Sequence, residues 1–121
     1  MAKKVYILED DPGISEIIEI ILEEEKYEVF TFSSIYEFMS KDKHEQADLF
    51  LLDIRLPDGN GINVCEMLKK NQGTEKIPVL MMSAHSSKRE VELSCGAQGF
   101  IAKPFDIYRL VKQVDHAIQQ N

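Results

Sequence analysis

The residues best equipped for chemistry in this chain stand where apolar runs stop. Residues 5–8 give way to Glu9, Asp10 and Asp11, the run 49–52 to Asp53, residues 77–82 to Ser83, and residues 99–102 to Lys103. If these runs are parallel strands of one doubly wound sheet, their carboxyl ends open on a common crevice, where such sheets bind ligands. Acids, a hydroxyl and a lysine would then converge. Several carboxylates in one place raise one another's pKa and destabilise the fold unless a cation neutralises them. Oxygen-only ligands favour a hard ion, Mg²⁺ first and Mn²⁺ as an alternative. Asp53 can act as metal ligand or as nucleophile, and a carboxylate can do both by using its two oxygens separately. Attack on phosphorus would give an acyl phosphate, a transfer that needs positioning and charge neutralisation more than covalent machinery. Lys103 and Ser83 are the candidates to meet the phosphoryl oxygens. The plainer reading leaves Glu9 and Asp10 as solvated loop acids; Asp11, before Pro12, is assigned in either case to capping a helix.

The intervening elements support that sheet. Short β-rich runs alternate with helical spacing, the pattern of βα units, and five such units can be counted. Ile14, Ile17, Ile18, Ile21 and Leu22 mark a first helix face. Residues 28–32 read as a second strand, and Ser34 with Glu37 forms a capping box before a short helix with Ile35, Phe38 and Met39 inward. The unbroken run 49–52 suits a central strand covered on both faces. Residues 57–61 are dense turn chemistry, followed by a helix using Val64, Met67 and Leu68 that stops near Gly73. Ser87 and Glu90 form a second box before a helix that Gly96 can end. Asp106 caps a last helix with Ile107, Leu110, Val111, Val114 and Ile118 inward.

Composition narrows the possible roles. At 121 residues, 44% hydrophobic and 29% charged, the chain fits a single domain spanning 1–121 with one core. A net charge of -7 would repel a nucleic-acid backbone or an anionic bilayer, so neither is an expected direct partner. Cys65 and Cys95 lack metal-ligand spacing and read as reduced, buried thiols. With no leader-like or spanning apolar run, a cytoplasmic location is expected.

In order along the chain, Glu9-Asp10, the stretch Asp53-Ile54-Arg55-Leu56-Pro57-Asp58-Gly59-Asn60-Gly61, Met82-Ser83-Ala84, and Phe100-Ile101-Ala102-Lys103-Pro104-Phe105 resemble the response-regulator receiver family of bacterial two-component signalling. The resemblance implies a flavodoxin-like (βα)5 α/β fold with a parallel sheet in order 2-1-3-4-5 and helices on both faces. It implies Mg²⁺ held by Asp10, Asp53 and the main-chain carbonyl of Arg55, with Glu9 acting through water. It further implies a phosphoryl group passed to Asp53 by a histidine kinase or histidine phosphotransfer protein, bound by Ser83 and Lys103, and an inward turn of Phe100. That turn would reshape the face made by the fourth helix, fifth strand and fifth helix, where a downstream protein or output domain binds. Such a domain is a switch that assists its own phosphorylation and dephosphorylation rather than an enzyme. Ser83 and Phe100 stand where similar proteins more often have threonine and tyrosine. Arg55 and His85 occupy variable positions, and the Lys103-Pro104 bond is a candidate cis peptide.

Two rivals share parts of this pattern. An aspartate-dependent phosphohydrolase needs a second acid two residues after its nucleophile, where Arg55 stands. A flavodoxin-like cofactor binder needs a phosphate-cradling loop after the first strand, where three acids would repel phosphate.

Overall fold

The structure is a computed structural model that describes residues 2–84 and 95–119. Five strands make one parallel sheet: β1 (Lys4–Leu8), β2 (Glu28–Phe32), β3 (Leu49–Asp53), β4 (Val79–Ser83) and β5 (Gly99–Ala102), in order β2-β1-β3-β4-β5. The expected sheet order is present. Residues alternate between its faces, and both faces are covered, so the central strand β3 is buried at every position. One face carries Tyr6, Leu8, Phe50, Leu52, Val79 and Met81, packed with Phe38, Val64 and Leu68. The other carries Val5, Ile7, Leu49, Leu51, Leu80 and Met82, packed with Ile18, Leu22, Leu110 and Val114.

Helix α1 (Pro12–Glu24) starts as its sequence demands, with Asp11 accepting from the N–H groups of Gly13 and Ile14 at 2.9 and 3.2 Å and proline in the first turn. In α2 (Ile35–Ser40) the Ser34 hydroxyl accepts from Glu37 N–H at 3.1 Å. The Glu37 carboxylate reaches Ser33 rather than closing the box on Ser34. Helix α3 (Gly61–Lys70) is capped by Asn60, which accepts from Ile62 N–H at 2.8 Å. Asp106 opens the last helix (Ile107–Gln119), accepting from Arg109 N–H at 3.1 Å.

Four apolar residues expected to face inward do not. Ile17, Met39, Met67 and Ile107 are all substantially exposed. Each adjoins or precedes the residue that does pack: Ile18 beside Ile17, Phe38 beside Met39, Leu68 beside Met67, and Leu110 one turn beyond Ile107. A short or peripheral helix meets the sheet along a stripe narrower than its apolar content. The fourth strand begins at Val79, two residues later than expected, because Pro78 can accept from Phe50 N–H but has no N–H to donate. Cys65 and Cys95 are both buried, with the Cys65 thiol directed at the Cys95 carbonyl at 3.3 Å and its pKa pushed up by burial. The Lys103-Pro104 bond is cis. The box at Ser87 and Glu90, and His85, lie outside the described residues.

Candidate functional site

Register decides which strand ends meet. Leu8 pairs with Leu52, so Glu9 leaves β1 beside Asp53 at the end of β3. Asp53 pairs with Met82, which sets it next to the end of β4, and Ser83 pairs with Ala102. Lys103 follows, its N–H donating to the Ser83 carbonyl at 3.1 Å. Each position is pinned by backbone: Glu9 N–H donates to Phe32 C=O at 3.0 Å, and Ile54 N–H to Met82 C=O at 3.0 Å. Glu9, Asp53 and Ser83 are buried, whereas Asp10 is exposed.

The Lys103 ammonium joins the two buried acids. Its Nζ donates to Asp53 Oδ2 at 3.0 Å and also to Glu9 Oε1. The other Glu9 oxygen accepts from Asp11 N–H at 3.0 Å. One oxygen each from Glu9, Asp10 and Asp53 lies within 4.8 Å of the others. The titrations reflect the crowding. Burial pushes Glu9 above the ordinary carboxylate range, partly offset by the Lys103 and Asp11 hydrogen bonds, with Asp53 adding repulsion. Asp10, exposed though it is, is raised by partial desolvation beside the cluster and then by Glu9. Burial would lower Lys103, but its bonds to Glu9 and Asp53 outweigh this and hold its pKa above the usual value.

The donor set fits a divalent cation. Among the described residues three carboxylates meet one ammonium, which leaves their charge incompletely neutralised, and the ligand atoms are all oxygen. The plain reading of Glu9 and Asp10 as separate solvated loop acids does not describe this cluster, since Glu9 is buried and Asp10 sits against it. Asp11 keeps its capping role. Arg55 is exposed in a small antiparallel hairpin, Arg55–Leu56 against Gly59–Asn60. Phe100, half-buried on β5, packs at the edge of the core, and its carbonyl accepts from Gln113 of the last helix at 3.2 Å.

Two residues of the stretch 53–61 carry the resemblance without a role of their own, Asp58 in the loop and Gly61 at the start of α3. The Asp58 carboxylate accepts from both Ile35 and Tyr36 N–H at 2.9 Å, and these bonds lower its pKa. Gly61 sits under the acceptor, where a Cβ would stand 1.9 Å from the Asp53 carbonyl oxygen. In sequence both look like ordinary turn residues; the only local signal was an acid preceding glycine between two capped helices.

Comparison with known proteins agrees with this geometry. Residues 5–115 match the response regulator receiver domain family. The DNA-binding response regulator MtrA of Mycolicibacterium smegmatis is 29% identical over 100% of this chain and 53% of its own length. The response regulator ArlR of Staphylococcus saprophyticus is 34% identical over 92% of this chain and 50% of its own. A crystal structure of a putative response regulator from Chloroflexus aurantiacus superposes with a TM-score of 0.89 at 26% identity, covering 98% of this chain and 99% of that one. The chain belongs to the response regulator receiver domain family. It spans about half the length of the curated relatives it matches. Among the described residues no helix is long and apolar enough to cross a membrane.

Proposed function

We propose that the chain is one receiver domain, 1–121, in which Asp53 accepts a phosphoryl group. The observation that carries this reading is the Lys103 ammonium lying between two buried carboxylates, Glu9 and Asp53, with Asp10 beside them. In the transfer one Asp53 oxygen bonds to phosphorus as the bond from phosphorus to the donor atom breaks, and the leaving atom departs with that electron pair. Lys103 holds its positive charge against Asp53 Oδ2, where the incoming phosphoryl oxygens gather negative charge. Ser83, on the neighbouring strand end, supplies a hydroxyl donor to the same group. Asp10, Asp53 and the Arg55 carbonyl would hold Mg²⁺, or Mn²⁺, with Glu9 acting through water; when bound, the ion supplies charge neutralisation for the phosphoryl oxygens.

The phosphoryl donor is a histidine kinase or a histidine phosphotransfer protein, and the setting is cytoplasmic. Occupation of the site favours an arrangement in which Phe100 turns inward and the surface around β5 and the last helix is altered for a downstream protein or output domain. A preference of about 1.4 kcal/mol for that arrangement gives a tenfold population shift. The domain assists its own phosphorylation and dephosphorylation and turns over no separate substrate.

Acetyl phosphate with Mg²⁺ provides the test. The unmodified chain should gain one phosphoryl group by intact mass, and Asp53→Asn should gain none. Equal labelling of the two would remove Asp53 from the role.

A further inference from the structure

We infer that Asp58 is a positioning residue that fixes the acceptor loop by clamping its tip to the start of α2. The inference rests on the proposed role of Asp53 and adds a residue outside the site cluster.

Residues 55–60 fold into a hairpin with only two residues in each arm, Arg55 opposite Asn60 and Leu56 opposite Gly59. A lone two-stranded hairpin is marginal in water even when longer. Its base is held well: Gly61 N–H donates to Ile54 C=O at 2.8 Å, and the absence of a side chain at Gly61 lets the chain pass against the Asp53 carbonyl. The tip has no equivalent backbone tie to the sheet among the described residues. There Asp58, in the turn between the arms, places Oδ1 on Ile35 N–H and Oδ2 on Tyr36 N–H, both at 2.9 Å. The approach is close, since Gly59 has φ +155° and a Cβ there would stand 2.8 Å from Ile35 Cδ1. A bidentate carboxylate fixes orientation as well as distance. Arg55, in the first arm, is the residue whose main-chain carbonyl is proposed as a cation ligand, so loosening the tip would loosen a ligand without touching it.

A bland alternative exists, that Asp58 does no more than cap α2. Ser34 separates the two, because its hydroxyl caps the same helix at Glu37 N–H, 3.1 Å away, and among the described residues no hydrogen bond joins it to the hairpin. Three variants of the full chain are compared: Asp58→Ala, Asp58→Asn and Ser34→Ala. Mg²⁺ binding is read by titration calorimetry, and labelling by acetyl phosphate is read across a Mg²⁺ series. Asp58→Ala should need roughly 10-fold more Mg²⁺ in both measurements, in line with the loss of groups that orient metal ligands. Asp58→Asn, which keeps one acceptor oxygen of the two, should fall between it and the unmodified chain. Ser34→Ala should keep the normal Mg²⁺ dependence although α2 is weakened. An Asp58→Ala chain that binds Mg²⁺ as the unmodified chain does, or a Ser34→Ala chain that shifts as far as Asp58→Ala, overturns the positioning role alone. An unmodified chain that binds no Mg²⁺ and takes no label overturns the reading of Asp53, and this inference with it.

Discussion

At the scale of single residues, the site is an unresolved charge problem. Glu9 and Asp10 both have raised pKa values in the folded chain, desolvation being the first cause of each, and among the described residues Lys103 supplies the ammonium that contacts Glu9 and Asp53. A cation that binds only the folded state stabilises it by mass action, about 2.7 kcal/mol at a hundred times its dissociation constant. Millimolar Mg²⁺ is therefore expected to raise the melting temperature of the unmodified chain and to leave Asp10→Asn almost unmoved. An equal rise in both, followed by calorimetry, would place the ion elsewhere. Asp58 gives the opposite pH behaviour to Glu9. Its folded pKa lies below the ordinary 3.8 because Ile35 and Tyr36 N–H groups favour the charged form. Its contribution is therefore present above pH 3.8 and is lost as pH falls through the lower folded value. The stability advantage of the unmodified chain over Asp58→Asn should be full at pH 6 and fade below about pH 4; an advantage that grows on acidification would contradict the assignment. The acids, hydroxyl and lysine of the site were legible in sequence because each interrupts an apolar run. Asp58 was not, because its partners lie more than twenty residues away and no local pattern announces a carboxylate that caps a distant helix.

At the scale of elements, the sheet gathers the site and tight backbone packing keeps the loop in register. Gly61 shows how little room remains. Its Cβ position falls 1.9 Å from Asp53 O and 2.9 Å from Asp53 C, both backbone atoms, so Gly61→Ala must displace either α3 or the acceptor strand end. Overpacking of this kind costs about 1–3 kcal/mol. Urea unfolding of Gly61→Ala should show that loss together with impaired labelling, and an alanine chain as stable and as readily labelled as its parent would show that the loop is looser than described. Strand identities were readable from short β-rich runs, and three helix starts from Asp11, Ser34 and Asp106, each of which accepts from a first-turn N–H. Helix faces were read less well. Periodicity finds apolar residues on a helix, but Ile17 and Met67 show that it does not find how wide a stripe the sheet covers, which depends on how neighbouring helices share the surface. The cap at Asn60 was present in sequence too, masked by the turn residues around it.

At the scale of the whole molecule, one sheet with both faces buried places five strand ends along a single edge, and the order β2-β1-β3-β4-β5 puts β1 and β3 side by side at the point where the winding reverses. That adjacency turns residues more than forty positions apart, Glu9 and Asp53, into neighbours, and the next strands bring Ser83 and Lys103 to the same edge. The core that supports this edge is divided by the sheet into two layers, and Gln113 of the last helix donates to the Phe100 carbonyl of β5. Sheet order was not fixed by periodicity; it followed from the family resemblance, since alternation of strand and helix leaves several windings open. The proposed transfer concentrates the chemistry of this edge on one carboxylate, Asp53. Its most direct test is to treat the chain with Mg²⁺ and acetyl phosphate, trap the acyl phosphate by borohydride reduction, and map the modified residue by peptide mass spectrometry. Modification is expected at Asp53 alone, and none when the Mg²⁺ is chelated; modification at Glu9 or Asp10 with Asp53 untouched would overturn the proposed transfer.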